Sequence, residues 1–333
     1  MALSIDLFTT HAPVPHKACV VGFALQTAKG VHATSPSLIL PINEEFDFGV
    51  DQKLTFFQFA DGRMSGPRHY FVAGYNTAGT IKMPLYPGML SGISGMNGGI
   101  LTSTTPTGTL ADIGRWMLGR ESVIYGGAQG LWATIFVYTG HTRLRFGDVK
   151  VETVKIAVSY GQMVTLELSV VGIAEPKAWT EAGSPKYVSD TLLPYMYKDC
   201  SIALGGVSDH STQDHTLTFE NALSSVDDAA TLTGSITPLY LPNGELAKVT
   251  GTFTRHFLDS TVYTAFLNRT AVSYTLSGDN GASCTFSLSL TRCIYTAAPL
   301  KLPNSGFLKQ EGIEFQALAD GASHPWTIME SVP

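Results

Sequence analysis

Charge is scarce in this chain. Asp, Glu, Lys and Arg make up only 14% of its 333 residues, well below the quarter or so usual in globular proteins. The net charge is −6, which excludes the basic footprint of a protein that grips nucleic acid through its phosphates. Long apolar runs are missing too. The longest, Cys19 to Leu25, is interrupted by Gly22 and falls far short of the roughly 18 residues of a membrane-spanning helix. Four cysteines, Cys19, Cys200, Cys284 and Cys293, form no CxxC pair, which argues against a structural zinc site or a redox motif. The first residues lack the basic start and apolar core of an export signal, and Asp6 arrives early. A soluble protein with reduced core cysteines, folded in a cytosol, is therefore expected.

Hydroxyls and glycine supply the missing polarity, in a chain that is 44% hydrophobic. Such surfaces suit subunits covered by neighbours, because burying a hydrogen-bonded hydroxyl is far less unfavourable than burying a charge. The length predicts about two domains of roughly 150 residues. An internal echo points the same way. Gly79-Thr80-Ile81-Lys82-Met83-Pro84-Leu85-Tyr86-Pro87-Gly88 returns, nearly half the chain later, as Gly234-Ser235-Ile236-Thr237-Pro238-Leu239-Tyr240-Leu241-Pro242-Asn243-Gly244. A helix signal follows each copy: Leu110, Ile113, Met117 and Leu118, then Val262, Ala265 and Phe266. Each half closes on an alternating strand, Val164–Leu168 and Ile313–Ala317. Strand, turn, helix and strand in the same order predict a duplicated domain.

Alternation of apolar and hydroxyl residues predicts many strands. They fall at Leu54–Phe59, His69–Ala73, Gly79–Tyr86, Leu131–Tyr138, Val149–Val158 and Val164–Val170 in the first half. In the second half they fall at Cys200–Leu204, His215–Phe219, Leu232–Ile236, Val249–Phe257, Val272–Leu276, Cys284–Arg292 and Ile313–Leu318. Val149 and Val151 are out of phase with Val154, Ile156 and Val158, which places a bulge at Glu152-Thr153. The fold class is mainly β: two tandem, similar antiparallel β-sandwich or half-barrel domains, each with one short helix. The expected boundaries are an N-terminal arm at 1–44, a first domain at 45–178, a linker at 179–187 and a second domain at 188–333.

Pro87 to Gly108 is the oddest segment, with Gly88, Gly92, Gly95, Gly98 and Gly99 and a run Thr102-Ser103-Thr104-Thr105. A loop this long predicts a functional, mobile excursion. Its apolar residues Met89, Leu90, Ile93, Met96, Ile100 and Leu101 are candidate contact residues between assembled copies.

No constellation supports catalysis. Gly92-Ile93-Ser94-Gly95 resembles a nucleophile elbow, but Met96 stands where its last glycine is needed. Asp209-His210-Ser211-Thr212-Gln213-Asp214-His215 offers metal-ligand types, yet a polar hairpin turn is expected there anyway. Glu44-Glu45 and Asp227-Asp228 are adjacent pairs, which on a strand point to opposite faces. Trp116, Trp132, Trp179 and Trp326 read as core or interface anchors. No catalytic residue, metal or cofactor is assigned.

The Gly79–Pro87 strand, the 110–118 helix, Gly147-Asp148-Val149-Lys150-Val151-Glu152 with its hairpin ending in Val171-Gly172, Phe219-Glu220-Asn221-Ala222-Leu223, and Val249–Phe257 followed by Asp259 stand in a characteristic order. In that order the chain resembles the tail tube (major tail) proteins of long-tailed bacteriophages, in their two-domain form. The resemblance covers roughly 45–330, and the arm and the Pro87–Gly108 loop depart from it. It implies a structural, non-enzymatic protein of the virion tail, assembled in the host cytoplasm. Its partners would be copies of itself in a homotrimeric ring (or a homohexamer), stacked into a tube, together with other tail proteins. DNA would pass through the lumen without specific binding, and no membrane would be involved. A β-sandwich surface adhesin or a carbohydrate-binding or carbohydrate-active module is the alternative.

Overall fold

The computed structural model describes residues 19–42, 46–57, 69–101, 107–121, 131–140, 142–179, 187–189, 191–223, 248–281, 283–300, 308–319 and 324–332. In chain order the strands begin β1 (Val20–Leu25), β2 (Leu38–Ile39), β3 (Phe46–Phe57), β4 (His69–Pro84) and β5 (Ile100–Leu101). Helix α1 (Ala111–Leu118) precedes β6 (Arg120–Glu121), β7 (Ala133–Tyr138), β8 (Arg143–Val158), β9 (Thr165–Gly172) and β10 (Lys177–Ala178). The chain continues with β11 (Cys200–Leu204), β12 (Val207–Asp209), β13 (Thr212–Glu220) and β14 (Lys248–His256). After helix α2 (Thr261–Leu267) come β15 (Val272–Asp279), β16 (Thr285–Ala297), β17 (Lys309–Ala317) and β18 (Trp326–Ser331). The protein is mainly β.

Sixteen strands join in one antiparallel sheet, and the order of strands within it occurs twice. The first set runs β3-β4-β9-β8-β7-β1-β2. The second runs β13-β14-β17-β16-β15-β11-β12. In both sets one helix follows the first two long strands, and a late strand returns to the start of a later long one: β10 on β8, β18 on β16. The register repeats as well. Val149 pairs with Gly172 and Val151 with Val170; Glu152 is then skipped and Thr153 pairs with Ser169. In the second set Cys293 pairs with Ala317 and Tyr295 with Phe315; Thr296 is skipped and Ala297 pairs with Glu314. The bulge expected at Glu152-Thr153 is present, and its counterpart sits at the same rung.

These pairings also identify matching positions elsewhere. Gly79 pairs with Val170 and Gly251 with Phe315, so β14 is the counterpart of β4. The second copy of the sequence echo, Gly234 to Gly244, lies outside the described residues, as do the expected strand at Leu232–Ile236, the pairs Glu44-Glu45 and Asp227-Asp228, and the Thr102–Thr105 run.

Three local expectations are corrected. His69–Ala73 and Gly79–Pro84 are parts of one strand, β4, because pairing with β3 bridges the polar stretch between them, and the strand stops before Leu85 and Tyr86. Residues 19–42, expected as irregular arm, contain β1 and β2, and Val21, Phe23 and Leu38 are buried. The short apolar run there is legible as a strand only once β7 pairs with it. The described part of the Pro87–Gly108 loop, up to Leu101, is packed rather than free, as described below.

The two sets meet through β8. Its first half pairs with β7, while Thr153–Val158 pairs with β13 in register Phe219↔Val154, Leu217↔Ile156 and His215↔Val158. One hydrophobic cluster runs through both sets, from Phe23 and Trp116 to Phe315 and Ile328. Burial of this size is the main stabilising term of the fold.

Candidate assembly surface

Of the six apolar residues in the Pro87–Gly108 loop, three are core residues. Met89, Leu90 and Ile93 are fully enclosed beside Ile113, Met117 and Leu118 of α1. Two glycines permit that close approach. A Cβ on Gly92 would lie 2.1 Å from the carbonyl oxygen of Ala111, and one on Gly114 would lie 2.2 Å from that of Met89. The loop glycines thus serve helix contact rather than mobility. Met96, Ile100 and Leu101 keep partial exposure, with Ile100–Leu101 forming β5 against β6. A side chain without accessible surface offers no direct contact to a neighbour, so only these three retain that capacity.

The loop also fastens the second strand set to the first. The amide of Gly95 donates to the carbonyl of Ile328 at 2.6 Å and that of Gly98 to Trp326 at 3.0 Å. Ser94 donates its hydroxyl to the Glu330 carbonyl and accepts from the Glu330 amide at 2.8 Å. Ser94, the would-be nucleophile, is therefore a strand-mimicking clasp. The amide of Gly88 donates to the Glu330 carboxylate at 2.9 Å, and the Tyr195 hydroxyl lies 3.5 Å from the same oxygen. Burial pushes the Glu330 carboxyl up to about 7, against these donors, which pull it down. From the other side Asn221 donates from one amide nitrogen to the carbonyls of Met117 (3.0 Å) and Val151 (2.9 Å), tying α1 to β8.

The Asp209–His215 segment runs from the end of β12 through a tight turn into the start of β13. Asp209 accepts from the Ser211 amide and hydroxyl and, at 2.7 Å, from the Thr212 hydroxyl. Burial raises the Asp209 carboxyl, yet these donors outweigh it and hold it below its ordinary value. His215 turns inward onto the Tyr274 hydroxyl at 2.6 Å, and its complete burial lowers it to about 3. Among the described residues no three His, Cys, Asp or Glu side chains are grouped to hold an ion. No helix among them is long and apolar enough to cross a membrane.

The surface that sequence reasoning missed is the ribbon formed by β3 and β4. Beyond Thr77, where pairing with β9 begins, β4 is joined among the described residues only to β3. Val50, Asp51, Gln52, Lys53 and Leu54 are successive exposed residues, so both faces of β3 are open there. Tyr70, opposite Phe56, is 67% exposed. An isolated two-stranded ribbon is marginally stable in water, and its open edge invites another strand. The signal in the sequence was weak because Asp51, Gln52 and Lys53 interrupt the apolar alternation.

No curated protein matches this chain. A family model does: the model of the phage tail tube protein family matches residues 19–319. That span takes in every strand from β1 to β17 together with both helices, and on it the chain belongs to the phage tail tube protein family.

Proposed function

We propose that copies of this chain close into rings that stack into the tail tube, the conduit through which a phage genome leaves the particle. The observation that carries this reading is the doubled strand order: two like sheet units in one chain supply six from three chains. On this reading the units are two domains, the ring is a homotrimer that imitates sixfold symmetry, and closure removes the open sheet edges. The low charge, with net −6, suits a lumen that must let DNA slide, since few released counterions mean little grip. Met96, Ile100 and Leu101, the loop residues that keep accessible surface, would touch the next ring.

Electron microscopy of the purified protein, with mass measurement of isolated rings, tests this. Stacked rings of three chains are expected. Six chains per ring would overturn the trimer, and compact monomers at every concentration would overturn the tube itself in favour of an adhesin-like or carbohydrate-binding module.

A further inference from the structure

The joint inside the chain is a pattern for a joint between chains. β13 is covered on both edges, by β14 and by β8. Among the described residues its counterpart β3 is paired on one edge only, with β4. The matched registers equate Phe46, Phe48 and Val50 of β3 with His215, Leu217 and Phe219 of β13. Through the pairs Phe46↔Ile81 and Phe48↔Gly79 in one set and His215↔Phe253 and Leu217↔Gly251 in the other, this equivalence is fixed by the two glycines. His215, Leu217 and Phe219 are buried, whereas Phe46 and Phe48 are only half-buried and Val50 is 41% exposed. An apolar row stands at the positions that β8 covers in the other set.

The covering strand has its counterpart too. The matched bulges equate Thr153 and Val154 of β8 with Ala297 and Ala298. In β8 these residues lead into the stretch that pairs with β13. In the second set the described chain after Ala297 has no partner strand on that side. Among the described residues, one set therefore offers an open edge, and the other ends its counterpart of the covering strand at Ala297 with Ala298–Leu300 unpaired to any strand.

We propose that the outer edge of β3, from Phe48 to Asp51, receives Ala297–Leu300 of a second copy, in the antiparallel register of the β8–β13 joint. This rests on the ring reading above and names the surface by which neighbours within one ring meet. The contact is head-to-tail, so repeated copies either close into a ring or extend as a filament. Backbone hydrogen bonds supply the attraction, and Phe48 and Val50, opposite Leu300 and Ala298, supply the burial that fixes register. Asp51, opposite Ala297 in this register, stays at the rim, where a charge keeps its water.

The register places Val50 of one copy opposite Ala298 of the next. The test is the double variant V50C/A298C, assembled, treated with a short bis-maleimide, and separated under denaturing conditions. A ladder of covalent oligomers that ends at the ring size is expected. The single variants and the unmodified chain, which carries the exposed Cys19, should give no such ladder. The double variant kept dilute and unassembled should give none either, because β3 and β16 lie seven strand steps apart in the sheet. Tubes visible by microscopy with no covalent dimer would overturn this joint while leaving the tube reading intact. Failure of the unmodified chain to assemble would instead count against the tube reading. As a second measurement, V50E should leave the monomer's circular dichroism unchanged and abolish ring formation. Normal rings from V50E would overturn the proposal.

Discussion

β3 and β13 occupy the same place in the two strand sets, yet one is half open and the other enclosed. Leu217 on β13 is fully buried, while Phe48 at the matching position of β3 is half-buried against Phe46 and Phe146. The difference lies not in the strands themselves but in what covers them: β8 lies across the one and no described strand across the other. A second difference is in the connection to the helix. β14 passes to α2 through Phe257–Ser260, whereas β4 reaches α1 through the glycine-rich loop that clasps β18. The same strand order thus occurs in two settings: the first set carries the clasp, and among the described residues its edge at β3 is open.

The sharpest way to break this comparison is truncation at the matched pair. Leu217→Ala removes a fully enclosed side chain between β8 and β14 and should destabilise the isolated chain by about 3–4 kcal/mol. Phe48→Ala should cost about 1–2 kcal/mol in the monomer, because part of that ring is already in water. Chemical denaturation of dilute protein measures both. Equal losses would mean that β3 is as enclosed as β13, and the distinction between them would fail.

The matched glycines come next. A Cβ on Gly251 would lie 2.1 Å from the ring of Phe315, a buried side chain with little room to move. On Gly79 it would lie 2.3 Å from the carbonyl oxygen of Asp47, on the edge strand β3. An edge strand with one neighbour yields more readily than a packed ring. Gly251→Ala should therefore cost about 3 kcal/mol and Gly79→Ala about 1 kcal/mol, within the usual range for overpacking. Thermal unfolding of the two variants side by side decides, and the opposite ranking would show that β3 is the more rigid.

A smaller effect tests the clasp. The Glu330 carboxyl sits in the fold at about 7 instead of its ordinary 4.5, so the folded chain holds that proton more tightly than the unfolded one. Stability from this group is complete below pH about 4.5, falls as pH rises toward 7, and is level above it. Glu330→Gln, which keeps the shape without the ionisation, should flatten that part of the profile and raise stability at pH 8 by about 1–2 kcal/mol. The comparison is between variant and unmodified protein at pH 5 and pH 8, since Asp148 and Asp209, both held low, contribute acid-side changes to each equally. Parallel profiles would show that the clasp does not titrate.

Much of the frame was legible in the sequence because its causes are local. The helices at 111–118 and 261–267, the bulge beside Glu152 and the strand at Cys200–Leu204 follow from the spacing of apolar residues. The strand order does occur twice, but the echo in the sequence does not mark the matching positions. Gly79 is matched by Gly251, not by Gly234, and the matching rests on pairing partners that no linear comparison displays. The burial of three loop residues was not legible for the same reason. Met89, Leu90 and Ile93 look like exposed anchors on a glycine-rich loop, but partners at Ala111–Leu118 and at Trp326–Glu330, distant in sequence, enclose them. The open edge of β3 was hidden because edge and interior strands share one alternation until their neighbours are known.

The smallest expected effect on the folded chain is at Met96, Ile100 and Leu101, and there it separates the two surfaces. These side chains keep partial exposure, so replacing Met96 and Leu101 together by serine should change monomer stability by less than about 1 kcal/mol. Removal of the whole stretch Met89–Leu101 is a different operation. It takes out enclosed residues and the β18 clasp, and should unfold the chain rather than merely prevent assembly. If the exposed end of the loop meets the next ring while β3 meets the neighbour within a ring, the serine variant should still form single rings but not long tubes. V50E should form neither. Negative-stain images of the two variants, scored for rings and for tube length, make the distinction. Long tubes from the serine variant would confine the loop to its role inside the chain, holding β18 against α1.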